Sequence, residues 1–98
     1  VARESELDVS VVHDLQTHPE PFQAVWDGQK TYEVRVNDRN FQAGDILFLR
    51  EWNWAQLCFT GREAVAEVTY LTRGGSWGLP PERCVLGIKV TARTARED

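Results

Sequence analysis

The sequence predicts a mainly β, α+β domain: a small barrel of five to six short strands with one short helix on its rim. Three observations predict it. Apolar residues recur at every second position in several short segments, one early segment alone has helical spacing, and Gly-, Pro-, Asn- and Asp-rich turns separate them. The chain has 98 residues, 42% hydrophobic and 27% charged, the size and make-up of a single domain expected to occupy 1–98 with its core at about 9–92. A chain this long buries roughly 60–70% of its unfolded surface, so one core can hold it without metals or disulfides.

The first strand is expected at Val9–Leu15, with Val9, Val11, His13 and Leu15 on one face and Ser10 and Asp14 on the other. His18-Pro19-Glu20-Pro21 then suits a helix's first turn, Phe22, Val25 and Trp26 follow at helical spacing, and Gly28 closes a helix of about two to three turns. Thr31–Val36 alternates again. Its apolar residues Tyr32, Val34 and Val36 are expected inward, and Thr31, Glu33 and Arg35 outward on an unusually polar face.

Asn37-Asp38-Arg39-Asn40 is turn chemistry, because Asn and Asp bond their own backbone and tolerate left-handed conformations. Gly44-Asp45 opens Ile46–Glu51, apolar on both faces at first, as in a doubly covered strand. Trp52–Phe59 is expected to be an aromatic-rich loop. After the Thr60-Gly61-Arg62 turn, Glu63–Thr72 should turn Ala64, Ala66, Val68 and Tyr70 inward. A Gly- and Pro-rich stretch, Arg73–Pro81, carries Trp77. The last strand, Cys84–Ala92, places Leu86, Ile88 and Val90 inward and Lys89 outward, and the charged tail after Arg93 is expected to fray.

Several function classes are disfavoured. Eleven Lys and Arg against fifteen Asp and Glu give a net charge of -4, which argues against a tight, sequence-blind grip on nucleic acid but leaves room for a local basic cleft. Cys58 and Cys84 stand singly and read as reduced core or loop thiols. Val1–Asp8 has no apolar stretch of signal-peptide type and no apolar run approaches ~18 residues, so the expectation is a cytoplasmic protein with no membrane partner. His13 and His18 fall on a strand face and at a helix start, where they do not converge. They read as a satisfied core histidine and a helix-capping one, so no metal and no cofactor is expected. P-loop, nucleophile-elbow and dinucleotide-binding motifs are absent.

One stretch stands out: Gly28-Gln29-Lys30-Thr31-Tyr32-Glu33-Val34-Arg35, followed by Asn37-Asp38-Arg39. A glycine ends the helix, a lysine sits in the turn, and the strand carries Thr31, Glu33 and Arg35 along one face. A solvated Glu–Arg face worth ~0–1 kcal/mol is one reading. A functional cleft is the other, since a face built for solubility alone needs neither a glycine-positioned lysine nor a polar turn beside it.

Together with His13-Asp14-Leu15, Phe22, Phe41, Gly44-Asp45-Ile46-Leu47, Arg50-Glu51 and Phe59-Thr60-Gly61-Arg62, this stretch resembles the ASCH domain of the PUA-like superfamily. It resembles more narrowly an uncharacterised bacterial and phage branch with the pattern G-x-K-x-x-E-x-R-x-N-D-R-x-F-x-x-G-D. The likeness covers nearly all of Val9 to Val90, with one departure at Gln16, where that branch carries a basic residue. It implies a PUA-like barrel that binds RNA, with a cleft between barrel and helix lined by Lys30, Glu33 and Arg35 and neighboured by Asn37 and Arg39.

Chemistry suits that expectation. Arg35 offers a planar fork of donors for phosphate or a base edge, Lys30 a flexible point charge, and Glu33 an acceptor for an exocyclic amino group. Thr31 joins this candidate ligand-binding set. Trp52, Trp54 and Trp77 lie in the two loops that could border such a cleft, where they either cap the barrel's open end or stack bases, at ~1–3 kcal/mol per base. The function expected is therefore an RNA- or nucleotide-binding module.

Two alternatives stand beside it. One is a hydrolase acting on a modified nucleoside or on RNA, with Lys30 and Glu33 as its catalytic groups. In that reading the resemblance to acetylcytidine amidohydrolases matches at Lys30, but the position of the nucleophilic threonine holds Glu33, and Thr31 is only the intervening residue. The other is a protein-interaction module that docks through the Trp52–Trp54 loop.

Overall fold

The computed structural model describes residues 10–95. Its elements run β1 (Val12–Thr17), α1 (Pro19–Trp26), β2 (Tyr32–Val36), β3 (Ile46–Asn53), β4 (Cys58–Arg73) and β5 (Arg83–Ala95). The five strands form one curled sheet in the order β1-β3-β4-β5-β2, a half-barrel with β1 and β2 at its two ends. β1 runs parallel to β3 and the other pairings are antiparallel. β1 and β2 therefore face each other across an open side without pairing, which is where the fold departs from a closed barrel.

Alternation decides which residues fill the inside of the curl. Leu15 from β1, Leu47 and Leu49 from β3, Ala64, Ala66 and Val68 from β4, and Cys84, Leu86 and Ile88 from β5 are buried there with Phe41. Each fully buried large apolar side chain contributes about 1.5–3 kcal/mol. Burial pushes the Cys84 thiol upward against the milder opposing pull of Arg73, so it behaves as a small apolar core residue.

α1 covers one mouth of the curl with Phe22 and Val25 fully buried. Proline opens it and Glu20 occupies its first turn, but His18 at the N-cap makes no side-chain capping bond, so its expected capping role is not met. The helix ends where Gly28, at φ +81°, turns the chain and donates its N–H to Val25 O. A polar clamp ties it to the sheet. Arg62 makes two bonds to the buried Glu51, through Nε (2.9 Å) and a terminal nitrogen (3.0 Å), while that same terminal nitrogen donates to Gln23 Oε1 at 2.8 Å. Its guanidinium lies over the rings of Phe22 and Trp26. The Arg62 hydrogen bonds outweigh burial and, with Thr60, hold the Glu51 carboxyl below the usual glutamate range.

Several expectations change. β1 begins at Val12, Val11 is exposed, and Val9 lies outside the described residues. Trp52–Phe59 is a hairpin rather than a loop: β3 runs on to Asn53, whose Oδ1 accepts from Ala55 N and Gln56 N, and β4 starts at Cys58. Tyr70 is exposed instead of inward because the β4–β5 register shifts between Val68 and Tyr70. The tail keeps strand structure to Ala95, paired with Arg62. The β4–β5 connection is tightly folded, with Gly75 N donating to Leu79 O and Leu79 N to Ser76 O. A Cβ at Gly74 would collide with Pro80 O, which only glycine avoids. Trp77 at its tip sits at φ +59°, a conformation that costs a bulky residue roughly 1–3 kcal/mol.

The largest correction concerns β2. Tyr32, Val34 and Val36 are exposed, whereas Glu33 is buried and Arg35 half-buried. The expected faces are reversed because the polar face turns toward the open side of the curl, where Lys30, the Gln16 carbonyl and the Thr17 hydroxyl meet it.

Candidate functional site

The open side holds a cleft of about 510 Å³, within the size range of small-ligand sites. Its apolar floor includes Leu15 and Phe41, and Pro21 of α1 closes one end. The cleft thus opens between the two edge strands, with the helix contributing only its first turn, rather than between barrel and helix. Because β1 and β2 run in opposite directions, Thr17, His18, Lys30 and Tyr32 share one end, and Asp38, Arg39 and Arg83 share the other.

Backbone directions follow from the ladders. Thr31 O accepts from Ile88 N, and Asn37 N donates to Glu82 O, so odd-numbered residues of β2 bond β5 and the main-chain groups of Tyr32, Val34 and Val36 face the cleft. On β1, Val11 O accepts from Ile46 N, which leaves the groups of Asp14 and Gln16 facing the cleft from the other side. Cationic side chains meet several of these carbonyls. Lys30 Nζ donates to Tyr32 O (2.6 Å), Arg35 to Gln16 O (3.2 Å) and Arg39 to Asp14 O (2.9 Å).

Glu33, 3% exposed, organises the middle. Its two oxygens accept from Lys30 Nζ and Arg35 Nε, each at 3.1 Å, and Arg35 also reaches Thr17 Oγ1 across the gap at 3.2 Å. The Lys30 ammonium additionally lies 4.6 Å from the centre of the Tyr32 ring. Four cations, Lys30, Arg35, Arg39 and Arg83, thus converge on one cleft against two acids, Glu33 and Asp38, a local balance of 4 − 2 = +2 in a chain of -4.

Of the residues singled out in the sequence, Lys30, Glu33, Arg35 and Arg39 line the cleft. Thr31 is exposed and lies outside it. Asn37 braces the turn, its Oδ1 accepting from Phe41 N at 3.1 Å. Trp52 packs edge-on against Trp54 and Phe59, while Trp54, 53% exposed, stacks on His18 with ring centres 5.3 Å apart. Trp54 therefore stands just beyond the His18 end of the cleft.

Sequence reasoning missed His18, Tyr32 and Arg83. Only the pairing of Val36 with Arg83 brings the last of these in, and a single sequence carries no signal of that register. His13 is a satisfied core residue: its Nε2 donates to Asp45 Oδ2 at 2.8 Å. Among the described residues no group of three or more His, Cys, Asp or Glu could hold a metal ion, and no helix is long and apolar enough to cross a membrane.

Comparison with known proteins places these residues in a family. A family model described as "Domain of unknown function (DUF3850)" matches residues 12–88, which include every residue that lines the cleft. The "Uncharacterized 12.9 kDa protein in GpA 3'region" of Escherichia phage P2 is 39% identical over 66 residues, 67% of this chain. The matched segment spans 59% of that phage protein's length. The chain, with its half-barrel and the cationic cleft at its open side, belongs to the DUF3850 family.

Proposed function

We propose that the cleft binds a nucleotide or a single-stranded RNA segment. One observation carries the reading: four cations converge on a cleft of about 510 Å³ in a protein whose overall charge is negative. Anionic phosphates answer that excess, which supplies affinity, while the apolar floor and the free backbone groups of Val34 and Val36 suit a planar base with donors and acceptors on its edge. The resemblance of Gly28–Asp45 to ASCH domains supports the same reading from the sequence.

Hydrolysis is less well served. Both hydrogen-bond partners of Lys30 Nζ, Tyr32 O and Glu33, are acceptors that already engage its N–H groups. Thr17, whose hydroxyl already accepts from Arg35, is the only serine or threonine among the cleft residues. Incubation with acetylcytidine is expected to release no cytidine. Turnover lost in both Lys30→Ala and Glu33→Ala would replace the binding reading with a catalytic one.

Thermal unfolding in the presence of nucleoside monophosphates and short single-stranded RNAs tests the binding itself. A ligand at 100 times its dissociation constant adds about 2.7 kcal/mol of stability, a clear rise in Tm. No rise with any of them overturns the reading.

A further inference from the structure

We infer that the Gly74–Pro81 loop is a second contact site that stacks a base on Trp77, so that the ligand is a strand of several nucleotides rather than a single one. The inference rests on the nucleotide-binding reading of the cleft. It starts from Trp77, the most exposed large apolar residue described, at 90% exposure. An aromatic left bare at a flexible tip would be unremarkable in itself, but this one is held. The loop is closed on itself by Gly75 N to Leu79 O, Leu79 N to Ser76 O and Arg83 N to Pro80 O, and Gly74 is wedged against the carbonyls of Pro80, Pro81 and Arg83.

The indole is also carried in a left-handed conformation that any glycine would adopt more easily. Trp77 and Gly78, both at positive φ, are the central residues of the Ser76–Leu79 turn, so the turn that closes the loop also fixes the backbone that carries the indole.

Position supplies the second argument. β4 ends and β5 begins at the Arg39–Arg83 end of the cleft, so the loop projects from that end, while His18 and Trp54 stack at the opposite one. Exposed Arg73 and Arg83 flank the loop at its two feet. Cations spaced along a groove with aromatics at its ends are the arrangement that single-stranded nucleic acid uses, phosphates on the cations and bases on the rings. The five residues of β2 alone span about 16 Å at ~3.3 Å each, several times the ~3.4 Å axial rise per nucleotide of a stacked strand. A monophosphate filling the cleft leaves Trp77 untouched; a strand leaving the cleft past Arg83 meets it.

Binding of adenosine 5′-monophosphate and of a mixed-sequence single-stranded RNA octamer to the full chain separates the two. Trp77→Gly removes the ring and relieves the backbone, so the variant should melt no lower than the parent. We expect it to lose about tenfold in octamer affinity, the loss of one stacked base, and to bind the monophosphate as before. Trp77→Phe should restore most of the octamer affinity. Unchanged octamer affinity in Trp77→Gly, or equal loss for both ligands, overturns the second site while the cleft reading stands. An Arg39→Ala, Arg83→Ala double variant that binds both ligands like the parent, or a parent that binds neither, overturns the cleft reading and this inference with it.

Discussion

Two buried glutamates in this half-barrel are held by similar chemistry and put to different uses. Glu51 meets Arg62 in a two-bond fork beneath α1, with Thr60 and Gln23 completing the partners and two aromatic rings against the guanidinium. Glu33 meets Lys30 and Arg35, but its cations look onto a cleft, Arg35 donating to Gln16 O of the facing strand and Lys30 to Tyr32 O of β2 itself. The first cluster joins a helix to a sheet that is already paired. The second spans the one place where the sheet is not paired. A buried ion pair is weak evidence of stability and weaker evidence of function until its surroundings are known; what separates these two is whether the strands around them are paired.

Breaking the clamp should have the largest effect. Arg62→Ala leaves the Glu51 carboxylate buried without its main partner and is expected to cost about 3 kcal/mol in urea unfolding. A loss below about 1 kcal/mol, the range of surface pairs, would erase the contrast between the two regions. Next comes Glu33→Gln. It should lower stability by about 1–2 kcal/mol while strengthening RNA octamer binding several-fold, because the cleft balance rises from +2 to +3. Glu51→Gln should leave octamer affinity unchanged, and any strengthening there would mean that total charge, not the cleft, governs binding.

Acid sharpens the comparison further. The native Glu51 carboxyl is held below its ordinary value, so as pH falls the unfolded chain takes up that proton first. The clamp's contribution is full above the ordinary glutamate value of about 4.3 and is lost as pH falls through the lower native one. Tm measured against pH should fall across that window in the parent and less steeply in Glu51→Gln; equal slopes would remove Glu51 from the acid response. The smallest effect expected is in salt dependence. Log octamer affinity against log salt should slope at about -3 if all four cleft cations meet phosphates, and Arg83→Ala should make it shallower by ~0.7. An unchanged slope would take Arg83 out of phosphate contact.

Much of this was legible in the sequence, and the exceptions have physical causes. The Lys30–Asp45 stretch announces the site, since turn residues, a spaced lysine and a polar strand face are local features. The order of elements follows from period-2 and period-3.6 patterns, and α1 appears where its apolar spacing and prolines place it. The orientation of β2 was not legible. Alternation divides a strand into two faces, and apolar residues normally choose the inside, but Arg35 turns inward to partners, Gln16 and Thr17, that arrive from β1, and Glu33 turns with it to meet Arg35 and the nearby Lys30. Tyr70 was misplaced by a bulge that shifts its register, and Arg83 was invisible because only strand pairing brings it beside Val36. Pattern reports what each residue prefers; tertiary partners decide which preference is met.

A curled sheet that stops short of closing exposes two strand edges, and bare edges invite another molecule's strand to add on. Here the outward carbonyls of Asp14, Gln16 and Tyr32 are occupied by Arg39, Arg35 and Lys30. A neighbouring chain that tried to extend the sheet at either edge would have to displace a charged side chain from its hydrogen bond at these positions. The cations proposed to receive a ligand thus also cover three of the edge carbonyls through which an added strand would have to pair.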